Sequence, residues 1–188
     1  HPPGYYLLLH YWRGACGQSE FALRSLSAFC GVLTVALTYA LGRRLFGGKT
    51  GLLAALLGAL SPFAVYYSQE ARMYALLAAL SAASTLLALR FLERPRLTRA
   101  AQYALVGAAG LYTHYAFPFV LLVHNTLFAL WWLSGGRRTA WWRGPALWAG
   151  AQVAALLLYL PWLPIALESV TGWSSAGREY ELGAALLD

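Results

Sequence analysis

Apolar residues run through this chain in long stretches, and polar residues fall between them in short clusters. Six stretches reach the roughly 17–25 residues a helix needs to cross a hydrocarbon core: 21–41, 51–67, 73–92, 97–115, 116–133 and 145–166. They are rich in Ala and Leu and poor in β-branched residues. None shows the alternation over about ten residues that marks a barrel strand. The fourth and fifth stretches are parted only by a polar corner from His114 to Pro118. The pattern predicts an all-α fold, a polytopic transmembrane helix bundle of about six spans. A short run before Arg13 cannot span, and Pro2 and Pro3 can open a helix at its first turn. It predicts a short interfacial helix, the alternative being the stump of a truncated span. The expected layout is one partial domain over 1–188, with 1–20 as an interfacial segment, 21–166 as the spans and 167–188 as an outer loop.

Composition sharpens this. Of 188 residues, 60% are hydrophobic and 11% are charged, whereas a soluble domain carries about a quarter charged residues. A soluble fold of this size could not hide that much apolar surface. The chain opens on His1 rather than Met and carries no signal-peptide pattern, so it reads as an internal piece of a longer protein. Cys16 falls in a polar connection and Cys30 inside an apolar run. That difference in depth argues against a disulfide, and the spacing is not that of a metal site.

The net charge of +7 is explained by its placement. Ten of the 14 basic residues fall in three connections: Arg43, Arg44 and Lys49; Arg90, Arg94, Arg96 and Arg99; Arg137, Arg138 and Arg143. The other connections hold Arg13, Arg24, Arg72 and Arg178, and all acids except Glu93. The positive-inside rule makes the three basic connections cytoplasmic. Topology, rather than nucleic-acid binding, accounts for the charge. Trp12, Trp162 and Trp173 fit an outer aromatic belt, and Trp131, Trp132, Trp141 and Trp142 an inner one.

Polar groups concentrate at the outer helix ends. The densest stretch is 66–74, with Gln69, Glu70 and Arg72 among Tyr66, Tyr67 and Tyr74. As a helix it would put Tyr66, Glu70 and Tyr74 on one face and turn Glu70 and Arg72 apart. It is either a solvated, capped turn or a place where an acid and a base meet a charged ligand at the membrane surface. Tyr112-Thr113-His114-Tyr115 would lie at the same depth. His124, beside Asn125, is placed to hydrogen-bond across helices inside the bundle. No nucleotide-binding loop, zinc-protease helix, nucleophile elbow or internal repeat is present.

Several motifs carry a resemblance: His1-Pro2-Pro3-Gly4-Tyr5-Tyr6, Ser19-Glu20-Phe21-Ala22-Leu23-Arg24, Gly42-Arg43-Arg44-Leu45-Phe46-Gly47, Ser61-Pro62, the stretch from Tyr66 to Tyr74, and Tyr112-Thr113-His114-Tyr115. In this order the chain resembles bacterial polyprenyl-phosphate-sugar glycosyltransferases. These are the Rgt-like relatives of dolichyl-phosphate-mannose protein mannosyltransferases and of the aminoarabinose transferase.

The resemblance implies a C-type glycosyltransferase fold in the plasma membrane. It also implies a polyprenyl-phosphate-sugar donor, and a lipid, glycan or protein acceptor on the outer face. It implies a general-base acid ahead of His1, and the catalytic residue is left unassigned within this chain. By the same resemblance Arg72, then His1, stabilises the leaving phosphate. Tyr67, His114 and Tyr115 bond the phosphate or stack on the sugar, and Glu70 and Gln69 bind sugar hydroxyls or orient Arg72. No cofactor or nucleic acid is expected, and a divalent metal is compatible with the family. Competing readings are a transporter or flippase of a lipid-linked substrate and a non-catalytic membrane subunit.

Overall fold

In the computed structural model, which describes residues 2–135 and 142–176 with side chains to 169, the described residues are helical and contain no strand. Nine α-helices follow one another among them: α1 (Gly4–Cys16), α2 (Glu20–Phe46), α3 (Gly48–Leu60), α4 (Pro62–Gln69), α5 (Tyr74–Glu93), α6 (Leu97–Leu111), α7 (Phe117–Leu133), α8 (Arg143–Tyr159) and α9 (Leu163–Ala176). A 3-10 turn, Leu160–Trp162, joins the last two. The stretch read as a terminal connection is thus helical through Ala176. His1, Arg137, Arg138, Trp141 and Arg178 lie outside the described residues, as does the side chain of Trp173.

The expectation of six spans is corrected. Among the described residues three runs are long and apolar enough to cross a membrane: Glu20–Phe46, Tyr74–Glu93 and Arg143–Ser169. A fourth exists only if Gly48–Leu60 and Pro62–Gln69 count together across their 58° bend. Pro62 explains that bend. It has no N–H to continue α3 and pushes Ser61 out of the helical region, to φ −65° and ψ 117°. The Ser61 hydroxyl then caps the new helix by accepting from Ala64 N at 3.4 Å. The other shortfall is at the polar corner. Residues 112–116 are spent on a turn, which leaves α6 with 15 residues and α7 with 17. At 1.5 Å per residue these are about 22 and 26 Å long, short of a hydrocarbon core of about 30 Å.

Packing is inside out relative to a soluble protein. The exposed positions of the long helices are apolar: Phe29, Val32, Leu57, Leu60, Leu122 and Leu156 are all more than half exposed. Helices surrounded by lipid gain little from burying apolar surface and pack instead through close backbone approach and buried polar bonds. Both devices are present. A Cβ on Gly42 would stand 2.8 Å from Gly51 Cα, so the α2–α3 hairpin closes only with glycine at this crossing. Between α5, α6, α7 and α8, buried His124 bonds Thr85 Oγ1 through Nε2 at 3.0 Å and the Tyr103 hydroxyl through Nδ1 at 3.2 Å. Asn125 Oδ1 accepts from Trp148 Nε1 at 2.8 Å and Gln152 Nε2 at 2.9 Å. The cross-helix role read for His124 from sequence is observed.

Long-range contacts sort the connections into two ends. At one end Arg44 of α2 pairs with Glu93 of α5, and the start of α8 approaches Pro95. The described basic connections therefore gather there. At the other end Gly4 N donates to Tyr112 O at 2.7 Å, Tyr74 faces His114 at 6.0 Å between ring centroids, and Arg24 meets Gln69. Cys16 is exposed and Cys30 buried, and both are free.

Candidate functional site

The site lies at the end away from the basic connections and is built by a break in the chain. α4 stops at Gln69, and Glu70 is extended, with φ −87° and ψ 137°. Arg72 N then bonds back to Glu70 O at 2.8 Å. The continuous helix expected over 66–74 is not formed. Glu70 and Arg72, which a helix would turn apart, face each other with Arg72 Nε 3.9 Å from Glu70 Oε2. The Tyr66 hydroxyl faces the same carboxylate.

A second pair stands opposite. Ser19 caps α2, its hydroxyl accepting from Ala22 N at 3.2 Å, and one turn in, Arg24 Nη2 meets Glu20 Oε1 at 2.5 Å. Arg24 Nη1 also donates to Gln69 O at 3.4 Å. This carbonyl belongs to the last residue of α4, where a cation is favoured by the helix dipole. Glu20, Arg24, Tyr66, Gln69, Glu70 and Arg72 line a cleft of about 430 Å³.

Beside the cleft runs an apolar groove of about 840 Å³ between α2, α3, α4 and α5. Val32, Val35, Phe63 and Leu77 line its length, Tyr67 and Tyr74 its polar mouth, and Gln69 lines both cavities. Tyr67 is fixed by edge contacts to Phe63, Tyr66 and Tyr74, with centroids 4.6, 5.2 and 4.9 Å away.

The backbone of the cleft is held from behind. Fully buried Tyr5 bonds the fully buried Ser27 hydroxyl at 2.9 Å, and Ser27 Oγ donates to Arg72 O at 3.4 Å. Tyr5 belongs to α1, which Trp12 docks onto α2 by donating to Ala22 O at 3.0 Å. Burial raises the Tyr5 phenol above its ordinary range, against a lowering by Ser27, so it remains a neutral hydroxyl.

The structure gathers Gln69, Glu70 and Arg72 in the cleft and puts Tyr67 next door in the groove. It does not bring His114 or Tyr115 to either cavity. His114 Nδ1 accepts from Ala116 N at 3.0 Å and shapes the α6–α7 corner. Burial lowers its imidazole below the usual range, favouring the neutral ring. Tyr115 turns into an apolar cluster with Leu111, Phe117 and Tyr159. Its hydroxyl is buried with no partner among the described residues. The place of His1 lies outside the described residues, although Pro2 is fully buried next to it.

Sequence reasoning missed Glu20, Arg24 and Tyr66. The i,i+4 spacing of Glu20 and Arg24 was a readable signal, but their meeting with Gln69 was not. Among the described residues no group of three or more His, Cys, Asp or Glu is arranged to hold a metal. The two carboxylates of the cleft are each paired with a guanidinium.

The sequence model of the dolichyl-phosphate-mannose-protein mannosyltransferase family matches residues 1–165. No curated protein and no solved structure matches the chain.

Proposed function

The chain belongs to the dolichyl-phosphate-mannose-protein mannosyltransferase family, and from that premise we propose that it moves a sugar from a polyprenyl-phosphate donor to an acceptor on the outer face of the plasma membrane. Membership makes it a membrane glycosyltransferase of a lipid-linked sugar. The finer reading rests on one observation, that a charged cleft and an apolar groove share Gln69 as a wall. A lipid phosphate has the same two-part character, and we assign its head to the cleft and its first isoprenes to the groove.

In the transfer, the bond from the sugar's anomeric carbon to the phosphate oxygen breaks and its electron pair stays on the phosphate. The acceptor oxygen forms the new bond, and its proton passes to a base that no described residue is assigned to supply. Charge grows on the phosphate as the bond breaks, and fixed cations lower the barrier by meeting it there. Arg72 takes that role, with Arg24 across the cleft. Arg72 lies at the distance limit from Glu70, at 3.9 Å, so it can shift to an arriving anion at small cost. Glu70 and Gln69 then bind sugar hydroxyls, and Tyr67 closes the mouth of the groove. The outer-face assignment draws on the gathering of basic connections at the opposite end. The acceptor remains a lipid, glycan or protein.

The test is turnover of a polyprenyl-phosphate sugar by the full-length protein in membranes. Arg72→Ala is expected to lose transfer by at least about a hundredfold, the scale of one lost transition-state contact, with unchanged expression. Wild-type turnover in that variant removes Arg72 from the site.

A further inference from the structure

The opposite end of the bundle carries a charged cluster that sugar transfer does not use. Glu93 closes α5 and takes Arg44 of α2 in a two-pronged pair, with Nε to Oε1 at 2.6 Å and Nη2 to Oε2. Arg94 and Arg99 also stand near enough to act on this carboxylate. Arg99 Nη1 donates to the carbonyls of Arg90 and Arg94, which ties the start of α6 to the end of α5. Arg43, Lys49, Arg90, Arg94 and Arg96 are exposed around this hub.

Eight basic side chains, Arg143 included, therefore lie at this end with a single carboxylate among the described residues, and Arg44 already neutralises it. The sidedness of charge in a membrane protein requires only that each connection be basic. It does not require connections 49 residues apart to converge on one acid, and that convergence leaves repulsion an anion would relieve.

The depth of the cluster identifies the anion. Glu20–Phe46 and Tyr74–Glu93 are two of the membrane-crossing candidates, and both end here. Leu45, Phe46 and Leu97 lie between the arginines and are 52%, 73% and 71% exposed. Exposed apolar side chains interleaved with guanidinium groups at the ends of membrane-crossing candidates describe the headgroup layer. We propose that the Arg44–Glu93 hub with Arg90, Arg94 and Arg96 is a binding site for anionic phospholipid headgroups of that leaflet. The site is independent of the sugar-transfer reading.

The test titrates the purified chain in neutral detergent with phosphatidylglycerol and with phosphatidylcholine, counting bound lipids by native mass spectrometry. The wild type is expected to prefer phosphatidylglycerol, and the preference to fall as salt rises. Replacing Arg90, Arg94 and Arg96 together by Gln should reduce it by about fivefold for each arginine removed. The matching Lys variant should keep it. Arg44 and Glu93 are left intact so that the α2–α5 contact survives, and helix content by circular dichroism checks the fold. If the Gln variant does not fold, a photoactivatable phosphatidylglycerol on the wild type decides, by labelling or sparing residues 90–99. No preference in the wild type, a preference unchanged in a folded Gln variant, or labelling that spares 90–99 each overturns the proposal.

Discussion

Arg24 Nη1 reaches the backbone carbonyl of Gln69 at 3.4 Å, 45 residues further along the chain, while its Nη2 is held by Glu20. One guanidinium thus pins the C-terminal end of α4 to α2 at the point where the cleft and the groove meet. The pair with Glu20 is half exposed or more on both sides, and such pairs contribute only about 0–1 kcal/mol. Arg24→Ala is therefore expected to leave the melting temperature nearly unchanged and to lower sugar transfer at least about tenfold, the factor for 1.4 kcal/mol of transition-state binding. Parallel thermal melts and turnover assays read the two effects. A large melting shift with proportionate loss of activity would make Arg24 a fold residue only.

Tyr5→Phe removes the hydroxyl behind the cleft and leaves the Ser27 hydroxyl buried with only Arg72 O, at 3.4 Å. Loss of one partner of a buried bond costs about 1–3 kcal/mol. A drop of several degrees in melting temperature is expected, with a smaller loss of turnover.

Gly4→Ala places a Cβ 2.6 Å from Tyr112 O, the carbonyl that accepts from Gly4 N at 2.7 Å. Neither backbone can yield without breaking that bond, and such overpacking costs about 1–3 kcal/mol. Limited proteolysis should then cut α1 faster than in the wild type. Equal cutting rates would mean that the Gly4–Tyr112 contact does not hold α1.

His114 makes stability pH-dependent. Burial lowers its folded pKa, so as pH falls through about 6.5 the unfolded chain takes up the proton first. Unfolded binding of more protons means stability rises with pH in that window and falls on acidification. His114→Asn keeps an acceptor for the N–H two residues on, as an Asx turn does, and removes the titration. Melts between pH 5 and 8 should lose part of their acid slope in the variant. An identical slope in both proteins would falsify the assignment.

His124→Leu removes bonds to Thr85 and Tyr103. Cross-helix bonds in membranes are worth about 0.6–1.7 kcal/mol, so about 1–3 kcal/mol of stability should go, with transfer per folded molecule intact. A collapse of turnover in a fully stable variant would give His124 a part in the reaction.

The sequence by itself determined the helical class, the membrane character, the gathering of basic connections at one end and the polar stretch that carries Gln69, Glu70 and Arg72. These follow from local quantities: the length and apolarity of a run, and the signs of charge between runs. It overcounted the spans because hydropathy does not register that Pro62 bends a run, or how many residues the corner read at His114 to Pro118 takes from the helices beside it. Only the tertiary structure decided that Arg24 of α2 crosses to Gln69, that Glu70 and Arg72 pair, that Tyr115 turns inward, and that the cleft opens beside a groove. Those outcomes depend on how helices far apart in sequence pack, through the Gly42–Gly51 approach and the Tyr5–Ser27–Arg72 chain. A helical period says which residues share a face, but not which face finds which neighbour.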